Sequence, residues 1–201
     1  MLVKHILNME DILIILIFSN MVSLILVLVS LLIFAVYNTV ALNQFGVPKS
    51  LSMTYYLWEE KKRNLGFLFT GMMFLMATTL MPAWLELSAV VSSWSIYLRP
   101  LAFFTCAAIA FVGAAPAFRK SKMESVAHNV AARVAAVCAL VWCFVVCYHI
   151  AYVPLIVMAL IAVAGWVTKT WKTANIYWLE MMAFGGTFAT VITELLIQMF
   201  K

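Results

Sequence analysis

Residues 12–42 read ILIILIFSNMVSLILVLVSLLIFAVYNTVAL, about 30 residues without one Asp, Glu, Lys or Arg. An α-helix rises about 1.5 Å per residue, so a bilayer core asks for roughly 20 apolar residues. This run exceeds that length, and the helix is expected to tilt or to project beyond the membrane at one end. It is apolar on every face, as expected where lipid rather than water surrounds a helix. The remainder of the chain repeats the pattern, with further spans expected over about 65–85, 98–118, 125–149, 153–171 and 176–200. The expected fold is therefore all-α. It is a polytopic transmembrane helix bundle of six spans in one integral membrane domain, residues 1–201, with no soluble domain.

Composition agrees. Hydrophobic residues make up 66% of the chain and charged residues 10%, with a mean hydropathy of +1.05. A soluble domain carries about a quarter charged residues to cover its surface. A transmembrane β-barrel is disfavoured, because its strands of about 10 residues alternate apolar with polar, and no such alternation occurs. No matching pattern relates the two halves of the chain. The N-terminus lacks the short basic region, brief apolar core and cleavage site of a signal peptide, so the first span is expected to serve as an uncleaved anchor.

Lysine and arginine set the expected orientation. The first connection holds Lys49, Lys61, Lys62 and Arg63, the third Arg119, Lys120 and Lys122, and the fifth Lys169 and Lys172. The second has only Arg99 at its far end, and the fourth has neither residue type. Basic short loops stay cytoplasmic, which puts both termini outside, in a cell membrane expected to be a bacterial inner membrane. The formal charge of +5 is spread over three loops, so it reads as a topology signal and not as a nucleic-acid footprint. Trp58, Trp84, Trp94, Tyr97, Tyr148, Tyr152, Trp171, Tyr177 and Trp178 fall near expected span ends, where amphipathic rings settle.

Polar residues inside a membrane are costly and mark candidate sites. Glu124 and His128, four apart, share a face at the start of span four, with Asn129 and Arg133 one step round. A carboxylate beside an imidazole can orient it as a base. Alternatively, Glu124 caps the helix start and His128 and Asn129 only bond to neighbouring helices. Ala127, Ala131, Ala132, Ala135, Ala136 and Ala139 make this helix narrow, which predicts a central place for it. In span six, Glu180, Thr187 and Glu194 lie at heptad spacing, the two carboxylates roughly 21 Å apart along the axis. They form either an acidic path or interfacial pairs with Lys172, Arg133 or Arg99. After span one, Gly46 and Pro48 break the helix, and Ser50 and Ser52 follow in a segment expected to fold beneath the bundle. A serine nucleophile there lacks a G-x-S-x-G elbow, so no catalytic residue is assigned. Cys106, Cys138, Cys143 and Cys147 read as compact packing residues. No metal and no cofactor are expected.

The segments Pro48-Lys49-Ser50-Leu51-Ser52, Val112-Gly113-Ala114-Ala115-Pro116 and Val126-Ala127-His128-Asn129-Val130-Ala131-Ala132 resemble motifs of the Frag1/DRAM/Sfk1 family and the related bacterial DUF998-type six-span membrane proteins. Glu180 or Glu194 resembles that family's late carboxylate, and Ala131 stands where the family has Gly. The resemblance implies an integral membrane protein tied to lipid handling. The expected function is to bind or modify a lipid or other hydrophobic molecule at the cytoplasmic interface. The candidate ligand-binding set is Ser50, Ser52, Glu124, His128, Asn129, Arg133, Glu180 and Glu194. A transporter or channel using the span-six carboxylates, and a structural subunit of a membrane complex, are the alternatives. Membrane lipid is the expected partner, with a homo-oligomer or membrane partner meeting the Ala- and Gly-rich faces.

Overall fold

The computed structural model describes residues 9–61, 65–91, 95–114, 122–147, 152–169 and 175–200. They form seven helices: α1 (Met9–Phe45), α2 (Met53–Lys61), α3 (Phe67–Val91), α4 (Ser95–Ala114), α5 (Lys122–Val146), α6 (Val153–Val167) and α7 (Asn175–Met199). No strand occurs among the described residues. Segments of α1, α3, α4, α5 and α7 are long and apolar enough to cross a membrane. Large apolar side chains such as Leu32, Phe104, Val137 and Leu160 point outward, as lipid-facing residues do. These are the features of a multi-pass membrane protein. The fifth expected span corresponds to α6, whose 15 residues extend roughly 22 Å, less than the ~30 Å of a bilayer core.

The long helices close a ring. α1 packs on α3, α3 on α4, α4 on α5, α5 on α7 and α7 on α1, while α6 lies against α7. Phe34 joins α1 to α7, its ring centroid 4.9 Å from that of Phe184 and 6.0 Å from that of Phe188. Between α1 and α3, the Ser23 hydroxyl donates to Glu86 Oε2 at 2.7 Å and the Ser30 hydroxyl to Met76 O at 3.4 Å. The first of these bonds gives Glu86 a buried partner, and α3 continues past it to Val91 instead of ending near 85. At α6, a Cβ on Gly186 would lie 3.1 Å from Leu155 Cδ1 and 3.3 Å from its Cα. The missing side chain lets α6 approach α7 closely.

One expectation is corrected. The alanine face of span four predicts a central helix, yet the α5 span is 22% buried against 44% for α3. A close helix approach is made elsewhere: a Cβ on Gly113 of α4 would sit 2.5 Å from Met73 Cβ of α3. Four of the α5 alanines, Ala132, Ala135, Ala136 and Ala139, line a cavity.

α1 ends at Gly46, whose φ of +70° suits glycine in a left-handed cap. Its N–H donates to Leu42 O at 2.8 Å. Pro48, two residues on, is buried, as is Leu51, and residues 46–52 turn under the ring as a floor. Trp58 of α2 meets Phe45 edge-on at 4.8 Å, fixing α2 beside the end of α1. The Gly66 N–H donates to Glu59 Oε1 at 2.8 Å. Burial, with the Glu59 carboxylate next in effect, raises the pKa of the neighbouring Tyr55 phenol.

Candidate functional site

A cavity of about 190 Å³ lies inside the ring. Its walls are apolar: Phe69, Met73 and Leu80 of α3, Ile109 and Val112 of α4, the alanines 132, 135, 136 and 139 of α5, and Phe184 and Phe188 of α7. Trp84 and Leu140 line it further along, and Leu155 of α6 lies at its side. Three lining residues, Ala136 and Leu140 of α5 and Ala183 of α7, are exposed on the outer surface of the protein. The cavity is thus a cleft whose mouth opens sideways between α5 and α7.

Polar groups gather at the floor. Glu180, half-buried in the second turn of α7, accepts the Leu51 N–H on Oε2 at 2.6 Å. No other hydrogen bond or ion pair to this carboxylate occurs among the described residues. The Tyr177 N–H donates to Lys49 O at 3.2 Å, satisfying one of the amides that the start of a helix leaves open. The floor is held from below as well. Thr54 Oγ1 donates to Leu51 O at 2.6 Å. That spends its one proton, so Tyr37 is the donor in its own 2.6 Å contact with Thr54 Oγ1. Tyr177 Oη donates to Asn38 Oδ1 at 3.2 Å, and Asn38 Nδ2 to Phe34 O at 2.8 Å. Thr105 and Thr187 lie deeper in the cleft. Thr105 donates its proton to Leu101 O at 2.8 Å and offers the cleft only lone pairs. Among the described residues, no Lys, Arg or His lines the cleft.

The structure brings together two of the candidate residues, Ser52 and Glu180. Ser50 is beside them, its Oγ 3.3 Å from that of Ser52. His128 is half-buried, and Asn129 and Arg133 are exposed; none of the three lines the cleft. The Glu124 side chain lies outside the described residues. Glu194 is fully buried on α7, well away from the floor. Its Oε1 accepts Gln198 Nε2 at 2.6 Å, while Oε2 and the Thr190 hydroxyl one turn earlier have no partner among the described residues. Neither span-six carboxylate meets a basic side chain among the described residues. Cys143 and Cys147 are buried and free, with Cys147 in electrostatic reach of Glu194. No cluster of three His, Cys, Asp or Glu suited to a metal occurs among the described residues.

Sequence reasoning missed the cleft walls. The spacing 132, 135, 136, 139 correctly marks one helix face. Small residues on a face signal close packing and open space equally, and only the neighbouring helices decide between them. Compared with known proteins, the chain matches no family model, no curated protein and no solved structure.

Proposed function

We propose that this protein binds a slender hydrophobic molecule, one chain of a lipid or a single-chain amphiphile, which enters the cleft sideways from the bilayer. The observation that carries the reading is the mouth between α5 and α7. Ala136, Leu140 and Ala183 stand at once on the outer surface and on the cleft wall, so a molecule dissolved in lipid meets the cavity without crossing water. The volume of about 190 Å³ is below the ~300–1,000 Å³ of sites for drug-sized ligands, which favours one chain over two. Binding is favoured over modification, because the lining pairs no nucleophile with a histidine base among the described residues. In this reading Ser52 and Glu180 receive the polar end.

The reading includes a topology. With the basic connections in the cytoplasm, the floor lies at the cytoplasmic interface, where head groups are found, and both termini face outward. α6 serves as the sixth crossing, held against α7. The likeness to the Frag1/DRAM/Sfk1 family points to the same lipid-linked role.

The test is chain retention. Wild-type protein and Ala136→Trp are purified in mild detergent and bound lipid is counted by mass spectrometry. An indole at the mouth fills the entrance, and retention is expected to fall to background. Equal retention by the two proteins refutes the reading.

A further inference from the structure

We propose that the cleft selects its occupant by charge, taking a single-chain amphiphile with a protonated amine head and rejecting anionic heads. The inference rests on the cleft binding an amphiphile, and it names which one.

Among the described residues, Glu180 is the only Asp, Glu, Lys, Arg or His in the lining. One of its oxygens is engaged by the Leu51 N–H, and no other protein group answers the carboxylate among the described residues. A carboxylate in apolar surroundings calls for a counter-charge or further donors. A phosphate or fatty-acid head would instead set a second negative charge beside the first, with no lining cation among the described residues to offset it. In a medium less polarisable than water that repulsion is strong. An ammonium head does the reverse. It carries three N–H donors and no acceptor, and the floor offers acceptors: Glu180, Ser52 Oγ and, deeper, Thr105 Oγ1 with its proton already spent. Charge-assisted bonds of this kind are the stronger class. An uncharged hydroxyl head matches part of the pattern, giving one donor and no charge.

The shape argues for a single chain. From Glu180 to Phe188 the α7 wall extends about 12 Å, bounded by the Phe69 and Met73 side chains and the alanine face of α5. A straight alkyl chain lies along such a wall with its head at the floor.

The experiment measures radiolabelled dodecylamine, dodecan-1-ol and laurate binding to the full chain in phosphatidylcholine nanodiscs, each corrected against protein-free discs. One chain length with three heads isolates the charge. Wild type is expected to bind dodecylamine about tenfold or more tightly than laurate, with dodecan-1-ol between them. Glu180→Gln keeps an oxygen for the Leu51 N–H and removes the charge. It should erase the amine's advantage over dodecan-1-ol. Laurate binding as tightly as dodecylamine overturns the inference, as does an undiminished amine preference in Glu180→Gln. In both of those outcomes the cleft still binds a chain and the proposed function stands. Binding of none of the three probes removes the proposed function and this inference together. If Glu180→Gln fails to insert, the ranking of the three probes on wild type decides alone.

Discussion

Trp84 of α3 and Trp142 of α5 stack with ring centroids 4.4 Å apart and planes within 9° of parallel. Both are fully buried. A second link doubles the contact: Trp142 Nε1 donates to Ser88 Oγ at 2.8 Å, and the Ser88 hydroxyl donates to Trp84 O at 2.7 Å. Offset aromatic stacking contributes about 0.5–1.5 kcal/mol beyond area burial. This junction ties α5 to α3 at the end of the cleft that Trp84 lines, beside the seam where Ala136, Leu140 and Ala183 are exposed.

Removing the serine tests the junction. In Ser88→Ala the Trp142 N–H loses its acceptor in a buried site, at a cost of about 1–2 kcal/mol. A lower melting temperature in detergent is expected, with the protein still inserted. Trp142→Phe keeps a ring but no donor, and adding Ser88→Ala to it should cost little more. Fully additive losses would show that the two residues do not act through this bond.

Gly113 and Gly71 make a matched pair. A Cβ at Gly113 would fall 2.5 Å from Met73 Cβ, whereas one at Gly71 meets nothing within 4 Å. Gly113→Ala must push α4 off α3, and overpacking of this kind costs about 1–3 kcal/mol. Gly71→Ala instead gains up to about 1 kcal/mol from helix propensity. Melting temperatures should move in opposite directions. A tolerated Gly113→Ala would contradict the α3–α4 packing.

Glu180 has a structural duty that is separable from any ligand. Glu180→Ala strips the acceptor from the Leu51 N–H, loosening residues 46–52 by about 1–3 kcal/mol. Faster proteolysis at Lys49 reads this out directly. Glu180→Gln, which keeps an acceptor, should resist as wild type does, and equal cleavage of all three proteins would remove Glu180 as the floor's anchor.

His128 is the reverse case. It stands outside the cleft lining, so His128→Ala is expected to leave chain retention at the wild-type level. Loss of retention without loss of melting temperature would return His128 to the binding site.

Orientation is checked by cysteine labelling in intact cells, with Cys138 replaced by Ala to lower the background. A membrane-impermeant maleimide should reach Phe200→Cys but reach Lys169→Cys only after permeabilisation. The opposite result inverts the topology.

The helices were legible because each long apolar run has a single stable solution in lipid. The first run shows this in full: α1 covers residues 12–42 and ends where Gly46 and Pro48 stop it. The floor was legible for the same reason, since Gly and Pro punctuate a chain by their own geometry. Which helix sits centrally was not, because Ala132 and Ala136 look alike whether a neighbour or a cleft faces them. Ser52 and Glu180 lie far apart in the chain, and nothing local in either signals that α7 would start beside the turn after α1. His128 drew attention through its spacing from Glu124 and the motif around it, and the rotation of α5 places it off the cleft.

Glu180 belongs to two assemblies, the floor through Leu51 and the cleft through its place in the lining. Thermodynamic linkage then ties them. Any occupant that draws the carboxylate away from Leu51 destabilises the floor, and a floor released from the carboxylate changes the occupant's affinity by the same free energy. Residues 46–52 join α1 to α2, so the position of that hairpin becomes a reporter of cleft occupancy, readable from the solvent side without touching the ligand.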